Sequence, residues 1–220
     1  MSLSLRLSVF ALVMAAAAPV SWSKGSATDG ATKATTCLAC HGANGNSVNA
    51  AWPSLAGQNA AYVAKQLRLY HAGKRPGPPG DVDAALMPPM AAALTDQDVE
   101  DIAAYYAAQT PAGLEADAAY WEAGRRLYLH GDRARQIPAC SACHGPTGAG
   151  TPTSGYPALR AQHSVYTAKQ LRSFHNETRY TKDDKGVSAG GENAEIMRTI
   201  SSRLSDDDMR NLAAFIQGLR

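Results

Sequence analysis

The sequence carries little net charge and no long run of charges of one sign. Its 21 Lys and Arg residues stand against 19 Asp and Glu, a formal net charge of +2 at pH 7. Nothing in that balance indicates nucleic-acid binding, which concentrates Lys and Arg on one face, and no charge block is long enough to form a binding tail. A persistent strand-like alternation of apolar and polar residues is also absent, which argues against a β-sheet protein.

An apolar run long enough to span a membrane is lacking as well. The run at residues 7–20 follows Arg6 and precedes the small residues Ser21 and Ser23, whereas a transmembrane helix needs about 20 residues. This pattern is typical of a secretory signal peptide, residues 1–23, cleaved after Ser23. The alternative is an uncleaved anchor. We therefore expect the mature chain to begin near Lys24 and to reside in the periplasm, an oxidising compartment.

What the sequence does contain is an internal repeat. Three blocks recur in the same order: "CLACHG" as "CSACHG", "WPSLAGQ" as "YPALRAQ", and "YVAKQLRLYHAGKR" as "YTAKQLRSFHNETR". The offset is 103 residues at the first block, 104 at the next two, and 110 near the C-terminus, which indicates one insertion near 180–196. Collinear blocks of this length indicate a duplicated domain. The Pro- and Gly-containing stretch 109–117 predicts the boundary, so the domains are 24–112 and 113–220.

Both copies are predicted to be helical, so the fold class is all-α. Residues 59–71 and 163–175 carry apolar residues at helical spacing, and residues 119–130 are predicted to open the second copy. Thr95 and Ser205 are predicted N-caps of a last helix in each copy, because acidic residues follow them in the first turn. Each copy is small for a self-sufficient core, so something else must help to hold it together.

The strongest chemical signal is a pair of Cys-x-x-Cys-His motifs. A disulfide within such a motif closes a tiny loop and stabilises little. A zinc site uses pairs about 15 to 20 residues apart, and a thioredoxin-like site needs a βαβ context. Covalent haem attachment remains: two thiols add to the vinyl groups of one porphyrin, and the adjacent histidine becomes an axial ligand. The predicted haem residues are Cys37, Cys40 and His41 in the first copy, and Cys140, Cys143 and His144 in the second.

Each of the two predicted haem irons needs a second axial ligand, usually methionine or histidine. Only Met87 and Met197 align with each other among the methionines after the signal peptide, each eight residues before a predicted helix cap. Met90 aligns instead with Ile200, a position that needs only apolar bulk. Because equivalent haem sites should use equivalent ligands, Met87 and Met197 are the predicted ligands.

Histidine ligation is the rival. His71 and His175 also align, but their neighbours Lys74, Arg75 and Arg179 resemble a solvated helix end. This context favours the methionine pair over a second histidine.

Two further pairs of residues complete the sequence predictions. His130 and His163 have no counterpart in the other copy and are expected at the surface. A backbone carbonyl near Pro53 or Pro157 is a candidate acceptor for the free N–H of the proximal histidine, although an ordinary loop proline explains the repeat as well.

These residues resemble the cytochrome c4 family. The resemblance rests on the double "CxACHG", the "PxLxxQ" and "YxAKQL" blocks and the methionine before "LxDxDxxxxAAY/F", and it covers nearly all of the chain after the signal peptide. It implies two class I cytochrome c domains, packed about a pseudo-twofold axis and each wrapped around a covalent haem c. It also implies His/Met ligation by His41 with Met87 and by His144 with Met197. The second methionine of "MPPM" and the insertion before Met197 depart from the family pattern.

The resemblance and the ligand set predict an electron-transfer protein rather than an enzyme. If histidine and methionine fill both axial positions, no coordination site is open to a substrate. The expected partners are a quinol–cytochrome c oxidoreductase and a haem–copper oxidase, met by peripheral association with membrane complexes, and no nucleic acid. One alternative is the cytochrome subunit of a flavoprotein dehydrogenase. Another is a dihaem peroxidase, which needs one iron without a stable distal ligand, and the aligned methionines argue against it.

Overall fold

The structure, a computed structural model, describes residues 25–219, and the predicted signal peptide lies outside them. Within this range the chain forms α-helices, two short 3₁₀ segments and three isolated β-bridges, but no extended strand. The all-α prediction is confirmed. The helices of the first copy are α1 (Ala27–Lys33), α2 (Leu38–His41), α3 (Ala60–His71), α4 (Val82–Ala85), α5 (Met87–Ala92) and α6 (Asp96–Ala107). Those of the second copy are α7 (Trp121–His130), α8 (Ser141–His144), α9 (Ser164–His175), α10 (Glu192–Ser201) and α11 (Asp206–Gln217).

The two copies share one order of elements, and α10 takes the place of α4 and α5. The connection between the copies, residues 108–120, contains no helix, and the predicted division between residues 112 and 113 falls inside it. None of the helices within residues 25–219 is long and apolar enough to cross a membrane.

The last helix of each copy begins with a capping box. The Thr95 hydroxyl accepts the backbone N–H of Asp98, and the Asp98 carboxylate accepts the backbone N–H of Thr95. Ser205 and Asp208 make the same pair of bonds at α11. Both predicted N-caps are therefore confirmed, because these bonds satisfy N–H groups that a helix start otherwise leaves unpaired.

The first and last helices of each copy cross with their backbones in contact, and glycine permits this. A Cβ atom on Gly30 of α1 would lie 2.0 Å from the carbonyl oxygen of Asp101 on α6. A Cβ atom on Gly124 of α7 would lie 1.9 Å from the carbonyl oxygen of Asn211 on α11. Both crossings thus depend on a residue without a side chain. Repeat register makes Asp101 and Asn211 equivalent, so the two copies cross at the same point.

The structure shows a second insertion that the repeat comparison missed. Gly30 lies seven residues before Cys37, whereas Gly124 lies sixteen residues before Cys140. The additional residues, 131–139, form a turn closed by a β-bridge, and the guanidinium of Arg135 holds this turn to the carboxylate of Asp208 on α11. The sequence did not reveal this insertion, because α1 is short, rich in Gly and Thr, and has little apolar pattern to align with α7.

Reciprocal hydrogen bonds join the two copies. The side-chain amide of Gln58 donates to the carbonyl of Ala158 at 2.9 Å and accepts its N–H at 2.9 Å. The amide of Gln162 donates to the carbonyl of Ser54 at 2.9 Å and accepts its N–H at 3.0 Å. Gln58 and Gln162 are equivalent in the repeat, as are Ser54 and Ala158. The interface therefore has the pseudo-twofold symmetry that the resemblance implied.

Candidate haem sites

The cysteines of each motif lie on a short helical turn. Cys37 ends the 3₁₀ helix Ala34–Cys37 and precedes α2, while Cys140 directly precedes α8. The second cysteine of each motif follows three residues later, and helical residues three apart are neighbours on one face. All four cysteines are free and partly buried. Each motif therefore presents two thiols side by side, as attachment to two vinyl groups of one ring requires.

Glycine ends both motif helices in a left-handed conformation. Gly42 has φ 81° and Gly145 has φ 79°, values that disfavour residues with a Cβ atom. At Gly42 a Cβ atom would also lie 2.1 Å from the carbonyl oxygen of Asn46. The chain then turns back, and the hydroxyl groups of Ser47 and Thr151 donate to the carbonyl of the second cysteine of their motif at 3.0 and 2.8 Å. These hydrogen bonds hold the turn against the motif helix.

The motif histidines are buried and oriented by a backbone carbonyl. His41 and His144 are each 6% exposed. Their Nδ1 atoms lie 2.8 Å from the carbonyl oxygen of Pro53 and 2.9 Å from that of Pro157. A carbonyl can only accept, so Nδ1 carries the proton and Nε2 keeps a lone pair for a metal. The predicted carbonyl contact is confirmed in both copies.

Burial also favours the neutral imidazole that metal ligation needs. It lowers the pKa of both His41 and His144, and the hydrogen bond to the proline carbonyl opposes this shift only in part. A neutral ring with a bare Nε2 is the form that binds a metal. The donor set of each motif therefore fits a haem iron.

The cysteines do not fit thiol redox or zinc chemistry. Burial raises the pKa of Cys37 and raises that of Cys140 to about 11. Reactive cysteines have a lowered pKa instead. No cluster of three or more His, Cys, Asp or Glu residues suited to a metal ion occurs in the part of the chain that the structure describes. The raised pKa values therefore argue against a reactive thiol site.

The predicted methionine ligands lie in equivalent helices. Met87 is the first residue of α5, which packs on α3, and Met197 lies in α10, which packs on α9. Both side chains are half-buried. Met90 is 44% exposed, so its side chain is not tightly packed. Ligation by Met87 and Met197 stays a prediction.

The rival histidines have a different role that the sequence did not reveal. His71 and His175 are exposed at the ends of α3 and α9. Their Nδ1 atoms lie 3.1 Å from the carbonyl of Ala91 and 2.8 Å from that of Ser201. His71 therefore ties α3 to α5, and His175 ties α9 to α10. The aligned pair was visible in the sequence, but its hydrogen-bond acceptors were not.

Two predictions of solvent exposure were wrong. Arg75 and Arg179 are 6% and 4% exposed, not part of a solvated helix end. His163 is 8% exposed, and its Nε2 lies 2.7 Å from the carbonyl of Ser47 in the other copy. All three make a hydrogen bond to the opposite domain, and a comparison of one repeat with the other cannot predict such contacts. His130 is exposed, as predicted.

Comparison with known proteins agrees with this geometry. The family model for cytochrome c matches residues 27–108 and 121–220. Cytochrome c4 of Stutzerimonas stutzeri is 40% identical over 197 residues, which cover 89% of this chain and 90% of the relative. The crystal structure of reduced recombinant cytochrome c4 from Pseudomonas stutzeri matches with a TM-score of 0.79 at 40% identity, over 89% of this chain and 100% of that one. A thiosulfate dehydrogenase electron acceptor of Stutzerimonas stutzeri strain A1501 is 35% identical over 183 residues, 81% of this chain and 76% of the relative.

Two helical domains, each with a Cys-x-x-Cys-His turn and an oriented histidine, define a dihaem c-type cytochrome. Such a protein carries two covalently bound haem c groups, and the cysteine pairs 37/40 and 140/143 fit that attachment. The chain belongs to the cytochrome c4 family. It is an electron-transfer protein, as its relatives are, and not an enzyme.

Proposed function

We propose that this cytochrome transfers single electrons in the periplasm from a quinol-oxidising respiratory complex to a haem–copper oxidase or a similar acceptor. The observation that carries the proposal is the matched donor set of the two copies. Each copy combines a buried histidine, oriented through its Nδ1, with a methionine at the same register. Methionine ligation raises the potential of a haem relative to other axial ligands. That suits a carrier feeding a high-potential acceptor.

Within this proposal, the chain's residues hold each haem from both sides. When bound, haem iron supplies a one-electron couple between the ferric and ferrous states. The cysteines would attach the ring, the histidine and methionine would bind the iron, and the surrounding helices would exclude water from it. The proposed ligands are Cys37, Cys40, His41 and Met87 in domain 24–112, and Cys140, Cys143, His144 and Met197 in domain 113–220.

A second candidate donor comes from the relatives. The thiosulfate dehydrogenase electron acceptor spans 81% of this chain at 35% identity. This similarity favours a thiosulfate dehydrogenase as the alternative to a quinol-oxidising complex, in place of the flavoprotein dehydrogenase that the sequence suggested. The chain would then accept electrons released by thiosulfate oxidation.

The donors can be separated by a direct reduction assay. The oxidised holoprotein, isolated from the periplasmic fraction of its own cells, is mixed with membranes and quinol, or with thiosulfate dehydrogenase and thiosulfate. Reduction of the haem is followed by absorption. We expect rapid reduction with membranes that is abolished by an inhibitor of quinol oxidation, followed by oxidation when the oxidase is unblocked.

Three outcomes would change the assignment. Reduction by the thiosulfate system alone would favour the second donor. Turnover of hydrogen peroxide at the rate of an enzyme would contradict the electron carrier altogether. Recovery of the protein with its first 23 residues intact would contradict signal cleavage, since the processed chain is expected to begin at Lys24.

A further inference from the structure

Two lysines that are equivalent in the repeat contact the opposite domain. Lys65 lies in α3 and Lys169 lies in α9, each within an "AKQL" block. The ammonium group of Lys169 donates to the carboxylate of Asp81 in the first domain. The ammonium group of Lys65 donates to the carbonyl of Gly190 in the second domain. Each domain therefore supplies one cation to a segment of the other.

Lys169 binds two carboxylates at the start of α4. Its Nζ atom lies 3.2 Å from an oxygen of Asp81 and 3.6 Å from an oxygen of Asp83. Asp81 is the N-cap of α4, because its side chain accepts the N–H of Ala84. Asp83 also accepts the indole N–H of Trp52, in its own domain, at 2.9 Å. The side chains of Lys169 and Asp81 are only 25% and 11% exposed, so water and salt screen this pair less than a pair at the open surface.

Lys65 binds the segment that precedes α10. Its Nζ atom donates to the carbonyl oxygen of Gly190 at 2.6 Å, and the next residue, Gly191, is the N-cap of α10. A backbone hydrogen bond between the domains lies at the other end of this segment. There the N–H of Thr181 donates to the carbonyl of Lys74 at 3.0 Å. The insertion in the second domain is therefore held by the first domain at two points.

Both lysine contacts lie shortly before a predicted methionine ligand. Asp81 precedes Met87 by six residues, and Gly190 precedes Met197 by seven. On the other side of each methionine, the histidine that ends α3 or α9 bonds to a carbonyl four residues further on. Each methionine therefore lies between a contact made by its own domain and a contact made by the opposite domain.

The segments before the methionines bury little surface of their own. Helix α4 is a single turn with no buried residue, and its first residue, Val82, is 75% exposed. In the second domain, residues 181–187 are all exposed. A helix of one turn is not stable alone, and a segment with few buried contacts opens at a low free-energy cost. Contacts from the opposite domain are therefore expected to decide how often these segments open.

We propose that Lys169 and Lys65 are positioning residues, each of which keeps the methionine ligand of the opposite domain in place: Lys169 acts on Met87, and Lys65 acts on Met197. Loss of a lysine lets the segment before the methionine open, so the methionine leaves the ferric iron more often. A competing ligand then binds more tightly to that iron, although the mutated residue belongs to the other domain. The proposal rests on the methionine ligands of the proposed function and is independent of which protein donates the electrons.

Lys169→Ala and Lys65→Ala test this crossed arrangement in the oxidised holoprotein, titrated with imidazole at about pH 8.5, where the ligand is neutral and does not respond to the lost lysine charge. The two haems are distinguished by their hyperfine-shifted methyl signals, assigned through contacts with protons of their own domain. We expect Lys169→Ala to raise the imidazole affinity of the first haem by about threefold to tenfold, between the effects of an exposed ion pair and of a buried charged hydrogen bond. Lys65→Ala should raise that of the second haem by about twofold to fivefold, because its acceptor is a neutral carbonyl. The other haem should keep the parent affinity in each variant.

Further variants guard against a merely structural effect. Lys185→Ala is the matched control, because it removes the same charge from the second domain at an exposed position, and it should leave both affinities unchanged. Lys169→Arg keeps a cation that pairs with carboxylates and should return the first haem to nearly the parent affinity. Met87→Ala and Met197→Ala test the ligands themselves. Each removes the competing methionine at one iron and should raise the imidazole affinity there far more than any lysine variant does.

The outcomes separate this proposal from the proposed function. Unchanged affinities in both lysine variants, while the methionine variants behave as expected, would overturn this proposal alone. An equal rise at both haems, or a rise only at the haem of the mutated lysine's own domain, would overturn it too, because either result indicates a general loosening of the structure. If neither methionine variant raises the affinity of its own haem, the ligand set of the proposed function fails, and this proposal fails with it.

Discussion

The Nδ1 atom of His41 lies 2.8 Å from the carbonyl oxygen of Pro53, and this contact connects the haem site to the domain interface. Pro53 belongs to the segment 52–58, which also contains Ser54 and Gln58. Both of these residues bond to the opposite domain. The same segment therefore orients the proximal histidine on one side and joins the second domain on the other. A disturbance of the interface is expected to reach the histidine through about one residue of backbone.

Gln162→Ala tests the contribution of this interface to stability. The variant leaves the N–H and carbonyl of Ser54 without the amide that pairs with them, and an unsatisfied buried polar group costs about 1–3 kcal/mol. We expect a loss of that size in the free energy of unfolding of the holoprotein, measured with a chemical denaturant. Glu122→Ala, on an exposed position of α7, is the control and should change stability by less than about 0.5 kcal/mol. Equal stability of the two variants would contradict a role for the reciprocal bonds.

Acid stability should depend on the capping box of α6. The hydrogen bond from Lys33, with those from Thr95, lowers the pKa of Asp98 from 3.8 to about 2. Because the folded-state pKa is depressed, this stabilisation is present above pH 4 and is lost as the pH falls towards 2. Asp98→Asn should therefore be less stable at pH 7, by about 1 kcal/mol as for other lost caps, and should lose less stability between pH 4 and 2.

The measurement is the free energy of unfolding at several pH values between 7 and 2. Asp184→Asn serves as the control, because Asp184 is exposed and lies outside the caps. This control should keep the acid dependence of the parent protein. If Asp98→Asn keeps it as well, the depressed pKa does not contribute to stability.

Much of the fold could be predicted from the sequence because each helix pattern, cap and motif occurs in both copies of the repeat. The boundaries of α3 and α9 came within one residue of prediction, since their apolar spacing and their positions in the repeat agree. The caps Thr95 and Ser205 followed from local chemistry alone. Each Cys-x-x-Cys-His motif specifies haem attachment within five consecutive residues, so the cysteines and the proximal histidine of each site could also be predicted.

What could not be predicted are contacts between the copies. Arg75 and Arg179 follow a helix and neighbour polar residues, a local pattern that solvent exposure explains equally well. Their hydrogen bonds to the opposite domain depend on how the two domains pack, and packing depends on surface shape rather than on periodicity. His163 was misjudged for the same reason. The turn at 131–139 was missed because it lies next to the least patterned helix of the first copy.

The helix crossings should tolerate no side chain. A Cβ atom at Gly30 would lie 2.0 Å from a carbonyl oxygen of α6, and the backbone there cannot move without separating the helices. We expect Gly30→Ala to cost more than about 3 kcal/mol or to prevent accumulation of the holoprotein. Gly186→Ala is the control, because a Cβ atom there meets nothing within 4 Å although φ is 78°. It should cost only about 1–2 kcal/mol, as seen in thermal or denaturant unfolding. Similar losses in the two variants would show that the crossing is not tight.

The last prediction concerns the methionine that binds the first iron. Met87 and Met90 lie on the same short helix, α5, but Met87 is half-buried while Met90 is 44% exposed. Repeat register pairs Met87 with Met197. Met87→Ala should therefore abolish the methionine–iron charge-transfer absorption of one haem, lower its potential and open a coordination site to peroxide. Met90→Ile should keep that absorption and change stability by less than about 0.5 kcal/mol, since the side chain is largely in solvent. Absorption spectra of the two oxidised variants decide the matter, because loss of the band in Met90→Ile and its retention in Met87→Ala would reverse the assignment.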